Sequence, residues 1–285
     1  MERKSALFSA LLLFPFFGFE PLNTPPQWHE DLTFHYKILH QDTWLPMGFT
    51  LKLENIHSRM RMDLAWCWPP VSSGSRIPLY LYRNQTLYTN GRFHPPAWSV
   101  GLAEPEMRTI LSFTQKPMAN LYQIIAHETT HVIFVSYWLR KNQSYPPYWL
   151  NEGLAMVEQT SEEHSKNCYW YQQIAYLPGQ NLFPLKTLMR LEPMKMNNVQ
   201  SIQLWYMESY SLIYFLLRKH PNFYFKTFVS YLRDGRSFKT ALWAGYRYTP
   251  QQLGREWYKF LNVRSRHKTF GPPSKLGFFH DLGPS

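Results

Sequence analysis

Cysteine is almost absent: only Cys67 and Cys168 occur in 285 residues. Two cysteines exclude a disulfide framework and a Cys-rich zinc site, and leave at most one disulfide. Charge is also sparse, at 17% against 45% hydrophobic residues. That balance excludes wholesale disorder and leaves enough apolar side chains for a sizeable core. There is no internal repeat and no heptad array. Long uncharged apolar runs are missing as well. The N-terminal run Ala6–Phe19 has 14 residues, interrupted by Pro15 and Gly18, against the ~20 of a spanning helix. With Arg3 and Lys4 ahead of it, it reads as the basic and apolar regions of an export signal. No A-x-A-like cleavage site follows, so a retained anchor stays open beside a cleaved signal. No Cys follows either, which argues against bacterial lipoprotein attachment.

What is abundant is aromatic: 11 Trp, 19 Tyr and 20 Phe, as in a packed globular protein with aromatic-lined surfaces. The formal net charge is +11, and its position matters more than its size. From Arg218 to Lys275 there are 13 Lys and Arg against Asp234 and Glu256, while the rest of the chain balances at 17 and 17. A basic surface confined to the C-terminal fifth is either a solvated helical face or a docking site for an anionic membrane or cell-envelope polymer. Nucleic acid fits less well, because the aromatics of Phe223–Tyr258 recur at helical spacing and read as core.

Along the chain, Asn23–Trp28 reads as a Pro-rich linker, and Leu32–His40 and Arg76–Tyr82 as strands. Phe49–Trp66 has helical spacing and ends at the Pro/Ser/Gly stretch Pro69–Ser75. Residues 90–107 read as loop, followed by a short strand over Arg108–Thr114. Helices are predicted over Leu121–Leu139, Glu152–Thr160, Tyr206–Lys219, Asn222–Leu232, Phe238–Ala244 and Pro250–Leu261. Strands first and helices after argue an α+β fold. The expected division is a signal or anchor over 1–20, an N-terminal α/β subdomain over 21–160, a helical subdomain over 161–262 and a basic tail over 263–285.

The residues that carry chemistry are His127-Glu128-Thr129-Thr130-His131. On a helix, positions i and i+4 share a face, so His127 and His131 can bind one zinc ion while Glu128 reaches a water on it. The surrounding segment is strongly apolar, and two His and a Glu in a buried helix are costly unless paired or metal-bound. The metzincin extension fails: Phe134 and Tyr137 stand where Gly and His are required. The next Glu downstream, Glu152, is the candidate third ligand; placed in a first helical turn, it could instead complement the helix dipole.

HETTH followed about twenty residues later by WLNEGLA resembles the gluzincin zinc metallopeptidases. The closest likeness is to the peptidase MA-like proteins, related to aminopeptidase-N-like and thermolysin-like enzymes, and it runs from about Arg76 to Leu261. The resemblance implies a thermolysin-like zincin fold, with a small mixed sheet, an active-site helix and a helical C-terminal part. It implies Zn2+ on His127, His131 and Glu152, and Glu128 as the general base. It also implies that Tyr206, in WYMESYSLI, hydrogen-bonds the oxyanion, with Tyr210 as its local competitor. The strand Arg108–Thr114 resembles the edge strand that holds extended substrate in these enzymes, which makes Leu111, Ser112 and Phe113 the expected substrate contacts. There are two departures. The Asp expected four residues after the Glu ligand is Met156, so His orientation must come from elsewhere. And Gly101–Pro105 is not the amine-binding loop of aminopeptidases.

The expectation is an exported zinc metallopeptidase, periplasmic or extracellular, acting on a peptide or protein. The alternative is a catalytically weak zincin that binds anionic envelope or membrane partners through its basic C-terminal region.

Overall fold

The computed structural model describes residues 27–68, 76–160 and 169–265. The expected export segment, Cys168 and the tail beyond residue 265 lie outside the described residues.

Five strands form one sheet in the order β1-β2-β3-β5-β4: β1 (His29–Leu32), β2 (Tyr36–His40), β3 (Ile77–Tyr82), β4 (Gly101–Glu104) and β5 (Thr109–Phe113). The three inner strands are parallel, and β1 and β4 run antiparallel at the two edges. In β3, Ile77, Leu79 and Leu81 are buried between half-buried Pro78 and Tyr80, the period-2 pattern of a strand on a core.

Two expectations are corrected here. Leu32–His40 is not one strand. The Thr33 N–H donates to the Tyr36 carbonyl at 2.9 Å and the Tyr36 N–H donates to Thr33 Oγ1 at 2.9 Å. This tight turn folds the segment into the β1–β2 pair. More consequentially, residues 101–104 of the expected loop form strand β4, which takes the edge of the sheet. β5 lies between β3 and β4, with Leu111 and Ser112 fully buried. Leu111, Ser112 and Phe113 are therefore on an interior strand. A four-residue strand beginning at a glycine among prolines offers too little alternation to be read from sequence.

Helix α1 (Phe49–Leu64) crosses from β2 to β3, and α2 (Gln85–Thr89) follows β3. The long helix α3 (Met118–Leu139) packs on β4, β5 and α1, and α4 (Tyr148–Gln159) packs on α3. Short helices α5 (Tyr169–Gln173) and α6 (Leu185–Leu188) lead to α7 (Val199–Arg218), α8 (Asn222–Arg233), α9 (Phe238–Tyr246) and α10 (Pro250–Ser265). Three helices, α3, α4 and α7, start earlier than expected. α4 begins right after Pro147, which places Glu152 in its second turn, beyond the strongest part of the helix dipole. α7 begins after Asn198, whose side chain caps the Ser201 N–H at 2.8 Å, so Tyr206 sits inside the helix rather than at its start.

One continuous core joins sheet and helices, with Ile38, Leu53, Ile110, Phe134, Leu154, Trp205, Phe228 and Leu261 among its members. Between α4 and α7 the backbones come close at Gly153, where a Cβ would lie 2.6 Å from the Ser209 carbonyl oxygen. Arg218 of α7 reaches both Asp63, at the end of α1, and fully buried Glu158 of α4. Among the described residues, no helix is long and apolar enough to cross a membrane.

Candidate metal centre

The i, i+4 spacing on α3 does what helical geometry requires: His127 and His131 turn to the same side, with Nε2 atoms 3.0 Å apart. Glu152 reaches them from α4. Its Oε2 is 3.6 Å from His127 Nε2 and its Oε1 is 3.6 Å from His131 Nε2. The three side chains offer ligand atoms within 4.8 Å of one another, the only such group of His, Cys, Asp and Glu among the described residues. The three side chains are between 11% and 19% exposed. Two imidazole lone pairs and a carboxylate converging in so little water suit a divalent cation. The set of two nitrogens and one carboxylate oxygen is a donor set of catalytic zinc, with a coordination position left for something other than protein. Burial alone would raise the Glu152 carboxyl; the neighbouring His131 and His127 outweigh it and hold the group below the ordinary carboxylate range.

Glu128 lies beside this cluster, between α3 and the edge strand. The Ala103 N–H donates to its carboxylate, and Gly101 lies so close that an added Cβ would stand 2.8 Å from Glu128 Oε1. A glycine is needed there for β4 to approach the helix. Burial pushes the Glu128 carboxyl up to about 7, against the pull of His131 and with a further push from Glu152.

These groups open on a cavity of about 460 Å³. Strand β4 forms one wall and α3 and α4 others, Tyr206 enters from α7, and Trp98, Met156 and Trp170 supply apolar surface. Burial raises the Tyr206 phenol, and the carboxylates of Glu152 and Glu128 add to the shift, so it stays a proton donor. Tyr210 is 1% exposed and packs on Trp170 and Tyr214 in the core. The helix phase separates the two tyrosines that sequence left in competition. Leu111, Ser112 and Phe113 are absent from the cavity lining; Gly101–Glu104 stand there instead.

One residue of the site was missed in the sequence. Gln159 Oε1 is 3.0 Å from His127 Nδ1. Gln159 lies seven residues after Glu152, two helical turns on, so the two side chains share a face of α4. That spacing was the available signal, masked by the expectation of an acid at position 156.

None of the curated proteins matches the chain significantly. The family model of the peptidase MA superfamily matches residues 70–263, a span that holds both edge strand and metal cluster, and the chain belongs to that superfamily.

Proposed function

We propose that the protein is a zinc-dependent metallopeptidase of gluzincin type that hydrolyses peptide bonds. The observation that supports this most is the convergence of His127, His131 and Glu152 beside Glu128 in one cavity. Zinc held by those three side chains would supply Lewis acidity toward a carbonyl oxygen and toward water.

The chain's own residues account for the rest. Glu128 accepts a proton from the attacking water and returns it to the leaving amine. The Ala103 N–H and the missing Cβ of Gly101 hold its carboxylate in place for both transfers. Tyr206, kept protonated by its surroundings, donates its hydroxyl hydrogen to the oxyanion as charge develops. The outer edge of β4, paired with β5 on its other side only, offers main-chain groups to an extended peptide. This passes the substrate-holding role from Leu111–Phe113 to Gly101–Glu104. The apolar wall keeps bulk water from the reacting bond.

The test is zinc content together with hydrolysis of a broad peptide library. Wild type is expected to hold one zinc and to cleave. Glu128→Gln is expected to keep the metal and to lose about 10²–10⁴-fold in rate. Stoichiometric zinc in a wild-type protein that cleaves nothing would favour the binding-protein reading instead. Export, to the periplasm or the extracellular space, belongs to the same proposal.

A further inference from the structure

We infer that Gln159 is the positioning residue of the metal centre, fixing the tautomer and ring direction of His127 through its side-chain amide. This inference rests on the metal-binding reading above and goes beyond it by assigning a role to a residue outside the three ligands and the base.

An amide oxygen can only accept a hydrogen bond, so the 3.0 Å contact between Gln159 Oε1 and His127 Nδ1 requires the proton on Nδ1. In the neutral ring that leaves the Nε2 lone pair free, and Nε2 is the atom that faces His131 and Glu152. The hydrogen bond therefore selects the ligating tautomer before any metal arrives. The two histidines are not supported alike: His131 Nδ1 is buried and meets no hydrogen-bond partner among the described residues. Packing holds His131, and a directed hydrogen bond holds His127. Gln159 is only 8% exposed and sits at the last residue of α4, the helix that also carries Glu152. One rigid element thus supplies a ligand and the support of another ligand. The support is neutral. A carboxylate there would make the imidazole a stronger donor; an amide orients it without adding charge to the site.

The experiment measures zinc affinity of the full chain by competition with a chromophoric chelator, and the visible spectrum of the cobalt-loaded protein. Gln159→Leu removes the acceptor at similar volume, and Gln159→Asn keeps an amide but withdraws it by one methylene. Both are expected to bind zinc about 10–100-fold more weakly, with an altered cobalt spectrum and unchanged unfolding of the metal-free protein. Gln159→Glu restores an acceptor and is expected to bind at least as tightly as wild type. Wild-type affinity in both Gln159→Leu and Gln159→Asn overturns the inference while leaving the metal site intact. So does an equal loss in Gln159→Glu. A wild-type chain that binds no zinc overturns the metal reading itself, and this inference with it.

Discussion

At Tyr206 the helix phase decides between a core residue and a group aimed at the cavity, and its neighbours decide what that group can do. A buried phenol facing two carboxylates does not ionise at neutral pH, so it keeps a hydrogen to donate. Tyr206→Phe removes that donor and keeps the ring. It is expected to lower kcat by about 10²–10³-fold with a small change in KM, measured on any peptide that the wild type cleaves. Two residues further along α7, Glu208 decides a separate matter. Glu208 is fully buried; its Oε1 accepts the Phe183 N–H at 2.9 Å, and its Oε2 meets no hydrogen-bond partner among the described residues. Burial pushes this carboxyl up to about 8, with the Phe183 N–H opposing. The folded chain then keeps a proton that the unfolded chain gives up near the ordinary carboxylate value. The stability this group contributes is greatest below that value and is lost as pH rises through about 8. Glu208→Gln, whose amide can still accept from Phe183, is expected to flatten this fall between pH 5 and pH 9. Denaturant unfolding of the metal-free protein checks it; an unchanged pH slope would show that Glu208 is ionised when folded.

At the scale of elements, the site depends on how closely three pieces of backbone approach. α4 brings Glu152 to α3 while pressing on α7 through Gly153. A Cβ at Gly153 meets the Ser209 carbonyl at 2.6 Å and the Ile213 side chain at 2.7 Å, and backbone in mid-helix yields little. Gly153→Ala is expected to cost about 1–3 kcal/mol and to weaken metal binding, since Glu152 is the adjacent residue. Gly254→Ala, on α10 with nothing within 4 Å, is the control and is expected to be neutral or stabilising by up to about 1 kcal/mol. Thermal unfolding of the two variants separates a packing effect from helix propensity. The same scale explains what was legible. The long buried helix α3 and the order of strands before helices follow from periodicity and composition, because a 22-residue segment repeats its pattern many times. β4 repeats hardly at all over four residues. The early starts of α4 and α7 depend on a proline and an Asn cap, where local chemistry extends a helix beyond its apolar stripe.

Across the whole molecule, the cavity and the basic surface are built from different parts of the chain. Tyr206 and the metal cluster precede Arg218, where the excess of Lys and Arg begins. The two acidic residues of that region are already engaged: Asp234 with Arg233 and Lys141, Glu256 with Lys259. Lys239, Trp243 and Arg247 are exposed and spaced by four residues along and just past α9, a basic-aromatic face with no carboxylate in the helix. If this face docks on an anionic membrane, retention on vesicles containing anionic lipid should fall steeply between about 50 and 500 mM salt. Lys239→Glu with Arg247→Glu should weaken retention and leave hydrolysis of a short peptide unchanged. Salt-independent retention would count against the electrostatic account.

The sequence by itself determined the candidate pair of histidines, the candidate base beside them and the mixed class. A four-residue spacing on a helix is a fixed distance, and the apolar period of a long segment states its own secondary structure. Only the tertiary structure decided which strand faces the cleft, which tyrosine enters it and which side chain supports His127. Those three depend on strand order, helix phase and the meeting of α3 with α4 across 32 residues of chain, and none of these contacts is periodic in sequence.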